Sequence, residues 1–205
     1  MGESELALAK TRTPEQYQQS LQVILSQAEK LRNLTKSLLE LAQSGFTGSL
    51  SFDTVKVDEL LKDVQKVANS IYPNCKLVTD TSLQPDNLHK LTLNGNFHLL
   101  ELCISNIVLN ACKYSTGGNV VLAVAASDKW VVFIVTDKGI GIPQDDMPHI
   151  FDPFFRASNA RGAKGYGIGL PLSRNIIKLH KGDIVVTSKE SEGTEVVVKI
   201  PKGKK

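Results

Sequence analysis

The sequence predicts an α+β fold: a two-layer α/β sandwich, with helices covering one face of a mixed sheet, preceded by one long bundle-type helix. Three observations predict it. Apolar or small residues recur at heptad-like spacing from Leu21 to Ala42. Short strand-like segments then alternate with helical ones as far as Tyr114. Beyond Tyr114 the strand-like segments come in adjacent pairs, the arrangement of strands sharing one sheet with helices packed on one side. At 205 residues the chain suits one ordinary domain plus an appendage. The expected divisions are a helical segment over 1–45, a hinge at 46–50 and a mixed α/β domain over 51–205.

The elements follow in order. Thr13 is a candidate N-cap, Pro14 suits a first helical turn, and Glu15 favours the helix dipole. From there to Gln43 the residues Leu21, Ile24, Ala28, Leu31 and Leu38 form an a/d stripe broken by Thr35. A stripe this wide on a lone helix needs a partner, in a bundle or dimer or on its own domain. Gly45 marks a stop, and the glycine-rich run 44–49 reads as a hinge. Leu50 to Val57 alternates weakly as a strand, and Asp58 is expected to cap a helix running to about Ser70. Residues 76–79 and 91–93 read as short strands, and Asn96 to Tyr114 as a largely buried helix. Val120 to Ala125 and Trp130 to Thr136 form a hairpin across residues 126–129. Residues 139–167 look like one long loop with a short helix. Ile168 to His180 is helical, and Ile184 to Ser188 pairs with Glu195 to Ile200 as a closing hairpin.

Composition excludes several function classes. A hydrophobic fraction of 41% with 22% charged residues belongs to a soluble folded protein. A net charge of +3 is too small for a nucleic-acid binder, and the basic run 201–205 reads as a solvated tail. No run approaches about 18 consecutive apolar residues, and no signal-peptide core precedes residue 13. The three cysteines, Cys75, Cys103 and Cys112, show no C-x-x-C spacing. Cys103 and Cys112 sit in an apolar helical run, so buried reduced thiols and a reducing compartment are expected.

Four short motifs carry chemistry. Asn106 and Asn110 stand four apart on a helix, so both carboxamides project from one face about one turn apart. Their neutral oxygens suit Mg²⁺, a hard ion that keeps waters beside nucleotide phosphates; alternatively, two core asparagines cap nearby backbone. Lys113 and Tyr114 follow on the next turn, with a point charge and a ring. Asp137-x-Gly139-x-Gly141-Ile142 ends a strand, where a carboxylate accepts a hydrogen bond from an exocyclic amine such as adenine N6; ordinary strand-to-turn junctions read the same way. Gly165-x-Gly167-Ile168-Gly169-Leu170 runs into a helix, whose N-terminal amides form an anion site; a flexible hinge has the same pattern. Between the last two motifs lie about two dozen poorly periodic residues, the length of a lid or a disordered loop. Phe151, Phe154 and Phe155 can anchor one end of that stretch or belong to the core. Arg156, Arg161 and Lys164 bring positive charge to it.

Jointly, these motifs resemble the N, G1, F and G2 boxes of the ATP-binding domain of sensor histidine kinases, in the family shared with gyrase, Hsp90 and MutL. The resemblance covers Asn96 to Ile200, including residues 180–184 and 192–194 near the end. It implies the Bergerat-type ATP fold with ATP and Mg²⁺ as cofactors. It implies catalytic roles for Asn106, Asn110 and Lys113, with Asn106 and Asn110 on the metal. Nucleotide contacts are implied for Tyr114, Asp137, Gly139, Gly141 and Ile142. Further contacts are implied for Phe154 and Arg156 in the lid, for Gly165, Gly167, Ile168, Gly169 and Leu170 in the phosphate turn, and for Thr194. The chain departs mildly from the pattern in carrying Gly95-Asn96 where Gly-Asp is frequent. Related ATPases have a glutamate general base at the place of Asn106, and Glu101 lies on a different face. The resemblance therefore implies phosphoryl transfer to a histidine, not ATP hydrolysis.

An acceptor histidine is not evident. None of His89, His98, His149 and His180 is followed by the Glu/Asp-x-Arg-x-Pro string of the family's acceptor, and Arg12-Thr13-Pro14 places Ala9 where that histidine would stand. His98 and His149 read as surface or packing residues and His180 as a helix-end residue. The segment from Arg12 resembles the second helix of the dimerisation bundle, so the chain looks like a catalytic domain with one bundle helix. The implied partners are a second copy through that helix, an acceptor helix of the same protein and a response regulator, with no nucleic acid. The implied setting is a cytoplasmic domain of a protein held in the bacterial inner membrane. Two rivals remain: a serine kinase of the anti-sigma type, and a non-catalytic nucleotide-binding or dimerisation module.

Overall fold

The computed structural model describes residues 13–25, 51–80, 82, 91–160 and 165–202. The chain divides into two units, Met1–Ser49 and Leu50–Lys205. In the first, residues 14–25 form helix α1. Thr13 caps it reciprocally with Gln16: its Oγ1 accepts from the Gln16 N–H at 3.4 Å, and its own N–H donates to Gln16 Oε1 at 3.1 Å. Leu21 and Leu25 are largely exposed on it. The expected continuation to Gln43, the hinge at 46–50, His89, Arg161, Lys164 and the last three residues of the basic tail lie outside the described residues.

The second unit runs β1 (Asp53–Lys56), α2 (Val57–Ile71), β2 (Lys76–Asp80), β3 (Thr92–Gly95), α3 (Phe97–Tyr114), β4 (Ser115–Ala126) and β5 (Trp130–Gly139). After two 3-10 turns, Met147–His149 and Ser158–Ala160, come α4 (Gly169–Leu179), β6 (Asp183–Lys189) and β7 (Gly193–Pro201). Five strands form one sheet in the order β2-β4-β5-β7-β6. β2 pairs with β4 in parallel and every other pairing is antiparallel, so the sheet is mixed. The apolar faces of α2, α3 and α4 bury against one side of it. Leu60, Val64, Leu100, Ile104 and Ile107 meet Phe133 and Ile200, each fully or almost fully removed from water. Contact between these shapes, not local propensity, holds the layers together.

Three expectations are corrected. β1 and β3 leave the main sheet and pair antiparallel with each other, so the described strands form two sheets. Asp58 does not cap α2: β1 runs straight into the helix, Lys56 occupies the cap position with extended backbone, and Asp58 falls in the first turn. There it is 3.6 Å from Lys62 and its charge favours the helix N-terminus. β4 begins at Ser115, directly from the end of α3, five residues earlier than alternation suggests. Ser115 lies opposite Gly139 while Val120 lies opposite Asp137, so five steps along β4 face two along β5. The slack is taken up in a bulge where Gly117 and Gly118 have φ of +94° and +69°.

The cysteine reading also changes. Cys75, just before β2, is disulfide-bonded to Cys112 in the last turn of α3, with Cα atoms 5.6 Å apart. Cys112 is therefore not a free buried thiol, and the inference of a reducing compartment loses that support. Cys103 remains free and buried, its thiol pushed up to about 12 by desolvation. It joins α3 to α4 through two bonds: its Sγ donates to the Ser173 carbonyl, and Ser173 Oγ donates to the Cys103 carbonyl.

Candidate nucleotide site

One cavity of about 350 Å³ opens between α3, the end of β5, residues 140–160 and 165–168 of the segment that follows, and the start of α4. α3 supplies one wall. Asn96 caps it, accepting from the Leu99 N–H at 3.1 Å. The Asn96 N–H in turn donates to His180 Nε2 at 3.0 Å, and His180 Nδ1 donates to the Ile176 carbonyl at 2.7 Å. His180 is thus more than a helix-end residue: buried and neutral, it ties the start of α3 to the end of α4. Burial holds its pKa below the usual imidazole value.

Asn106, Asn110, Lys113 and Tyr114 all line the cavity from α3. Neither carboxamide forms a hydrogen bond with another described residue, so the reading of these asparagines as caps for nearby backbone finds no such contact. Lys113 Nζ lies 4.6 Å from the Tyr114 ring centroid and would be only 2.8 Å from a Cβ at Gly165. The ammonium therefore sits against the turn that leads into α4.

Asp137 lies at the far end. It stands opposite Thr194 on β7, and its Oδ1 is buried with no hydrogen-bond partner among the described residues. Desolvation raises its pKa to about 6, opposed by the backbone N–H groups of Gly139 and Thr194. That oxygen is turned towards Gly139, whose Cβ position would lie 2.6 Å from it, while the residue as a whole lines the cavity. Thr194 Oγ1 is 2.8 Å from Ser188 Oγ, which also accepts from the Ile142 N–H at 2.9 Å. Ser188 thus fastens the turn after β5 to the β6–β7 hairpin. Asn159 Nδ2 donates to the Gly141 carbonyl at 3.0 Å and pins the same turn from the other side.

Gly141, Ile142, Arg156, Gly165 and Gly167 also line the cavity, as do Ile168, Gly169, Leu170 and Thr194. Two expected residues do not. Gly139 stands behind the wall, where a Cβ would come within 2.2 Å of the Tyr114 carbonyl oxygen, so its lack of a side chain lets α3 reach the strand end. Phe154 lies outside the cavity with φ of +67°, its N–H donating to the Gly167 carbonyl at 2.9 Å. Arg156 bonds the Ala160 carbonyl. α4 begins at Gly169 with no side-chain cap, leaving its first amides for the cavity. Reading by motif passed over Val135, Val186 and Val196, which form an apolar floor; their alternation in strands looks like ordinary core.

A buried carboxylate, an apolar slot, two carboxamides and an uncapped helix start agree with the comparisons. Residues 95–204 match the family model described as histidine kinase-, DNA gyrase B-, and HSP90-like ATPase. The chain belongs to this family. The heme sensor protein HssS of Staphylococcus haemolyticus is 32% identical over 185 residues, 89% of this chain and 39% of that protein. Sensor histidine kinase YkoH of Bacillus subtilis is 29% identical over 187 residues, 90% of this chain and 40% of its own length. The chain therefore spans about two fifths of the curated relatives it matches. Among solved structures, the catalytic domain of histidine kinase ThkA superposes with a TM-score of 0.62 at 25% identity, covering 75% of this chain and 99% of that one. Histidine kinase AdeS of Acinetobacter baumannii, at 19% identity and TM-score 0.63, covers 95% of this chain and 88% of its own, and shares the fold. The mixed α/β domain is thus similar to the catalytic domains of sensor histidine kinases, on a fold that generally takes ATP and Mg²⁺.

Proposed function

We propose that this chain holds Mg-ATP for phosphoryl transfer to a histidine that it does not itself supply, for relay to a response regulator. The observation that carries the reading is one cavity lined by the Asp137 carboxylate, by Asn106 and Asn110, and by the uncapped start of α4. Asp137 accepts from an exocyclic amine, while Val135, Val186 and Val196 exclude water from the ring beside it. Asn106 and Asn110 offer neutral oxygens to a hard cation that draws its charge partners from phosphate. Lys113 and the α4 amides hold the phosphate end, and Arg156 adds charge along the lid. When bound, ATP and Mg²⁺ supply the transferable group and neutralise its charge.

Asn106 supports transfer over hydrolysis, because a carboxamide cannot take a proton from water at neutral pH. Glu101 does not replace it: that side chain lies 3.9 Å from His98, away from the cavity. The roles of Gly139 and Phe154 become indirect, shaping the walls. Residues 1–45 are assigned as a partial dimerisation segment carrying the second helix of a four-helix bundle, a reading supported by the exposed Leu21 and Leu25. A second copy, an acceptor helix and a response regulator are the partners this assigns. Membrane placement of the whole protein rests on the family resemblance, since no described helix is long and apolar enough to cross a bilayer. Calorimetric titration with ATP, with and without Mg²⁺, tests the pocket, and transfer to a separately supplied acceptor helix tests the chemistry. Saturable Mg²⁺-dependent binding is expected; its absence would favour the non-catalytic module.

A further inference from the structure

We propose that the Cys75–Cys112 pair is a thiol–disulfide modification site, opened by dithiol reductants, that controls the order of the nucleotide-facing end of α3. The affinity part of this proposal rests on the nucleotide reading above. Both cysteines line a surface groove together with Tyr72, Asn74, Gly117 and Gly118. The two residues are 9% and 7% exposed and both line the groove, which offers an attacking thiolate its route to the bond. The bond joins segments 37 residues apart in sequence and is the covalent tie between the last turn of α3 and the approach to the edge strand β2.

The position of Cys112 gives the bond its reach. Its chain neighbours Ala111 and Lys113, and Tyr114 after them, line the nucleotide cavity on the opposite side of the helix end. The Tyr114 carbonyl accepts from the Ile140 N–H at 3.2 Å, between Gly139 and Gly141. A change at Cys112 therefore passes in two residues to the turn that follows Asp137. Helix ends are the least cooperative part of a helix, and this one leads at once into the bulge at Gly117 and Gly118. With the bond closed, the last turn is anchored from outside. With it open, the outside anchor is lost, and the last turn is free to shift or fray.

The chemistry balances. A thiolate of the reductant attacks one sulfur, forming a mixed disulfide and expelling the other sulfur as a thiolate. The second thiol of the reductant then displaces the protein sulfur. The protein gains two electrons and two protons as two thiols, and the dithiol leaves as a disulfide.

The test uses the whole chain in oxidised form and after native-state treatment with dithiothreitol. Thiols are counted by alkylation after denaturation, amide exchange is followed at residues 111–114 and 140, and ATP is titrated into both forms. One alkylated cysteine is expected before treatment and three after, given Cys103 as the free thiol. Exchange at 111–114 should accelerate on reduction, and ATP affinity should fall roughly fivefold or more, the effect of re-ordering one or two residues on binding. A Cys75→Ser/Cys112→Ser double variant should match the reduced form and ignore dithiothreitol. A bond that resists native-state reduction, or identical exchange in the two forms, would overturn the proposal; so would equal ATP affinity. If ATP binds neither form yet exchange differs, the nucleotide reading fails while the control of the helix end stands.

Discussion

Asp137 is the residue on which most of the site chemistry turns. Its pKa of about 6 exceeds the ordinary carboxylate value because burial penalises the charged form. The folded state therefore binds more protons than the unfolded state between about pH 4 and 6. Asp137 accordingly contributes stability at low pH that is lost as pH rises through 6, on the order of 2–3 kcal/mol. Ligand affinity should run the other way, rising through the same interval as the carboxylate becomes the better acceptor. Asp137→Asn should flatten both profiles and weaken ATP binding about tenfold or more, measured by urea denaturation and calorimetry across pH 4–8. A variant that keeps full affinity would remove Asp137 from the ring end. Asn110→Ala should leave ATP binding without Mg²⁺ nearly unchanged and erase the gain that Mg²⁺ brings; a retained gain would exclude it as a ligand. At this scale the sequence was legible where a polar residue interrupts an apolar run, as with Asn106, Asn110 and Asp137. It was silent on Val135, Val186 and Val196, since a valine facing a ring and a valine facing a core leave the same pattern.

Among the elements, α3 was legible almost to the residue because its cap, Asn96, and its apolar length agree. β4 was not, because Ser-Thr-Gly-Gly reads as a turn and only a bulge lets it remain in the ladder. Gly139 belongs to this scale. Its missing Cβ is space occupied by the Tyr114 carbonyl, so Gly139→Ala should destabilise by about 1–3 kcal/mol or force α3 off the strand end. Urea midpoints would show it, and an unchanged midpoint would mean the helix end yields freely. His180 couples α3 to α4 in the same manner. Its pKa is depressed, so its contribution is present above the unfolded imidazole pKa and lost as pH falls below it. His180→Ala should cost about 1–3 kcal/mol at neutral pH by leaving the Asn96 N–H without its acceptor, and should reduce the acid sensitivity.

Across the molecule, the motif order identified the fold family, but two long-range facts escaped it. A 37-residue separation gives no local sign that Cys75 and Cys112 meet. Nor does alternation in 53–56 and 92–95 say that β1 and β3 desert the main sheet for each other. Closing a loop of that length should raise stability by about 2–4 kcal/mol over the reduced protein in the chain-entropy account. Denaturation with and without reductant measures it, and coincident curves would show that the bond constrains little. The exposed leucines of α1 should drive concentration-dependent self-association, weakened by Leu21→Glu with Leu25→Glu. Sedimentation that reports the same species for both proteins would count against that helix as a dimer contact.

The bulge in β4 has a consequence for length. A helix turns by about 100° per residue and a strand by a half-turn, so a helix fused to a strand without a loop locks one phase to the other. One residue inserted after Val121 would exchange the two faces for every later side chain of β4, turning the core-facing set out and the outer set in. The same insertion between Gly117 and Gly118 falls in the stretch where five steps already answer two, and is expected to be absorbed there. Those two glycines act as an expansion joint: the chain can change its count at that point and keep both the wall of the cavity and the register of the sheet.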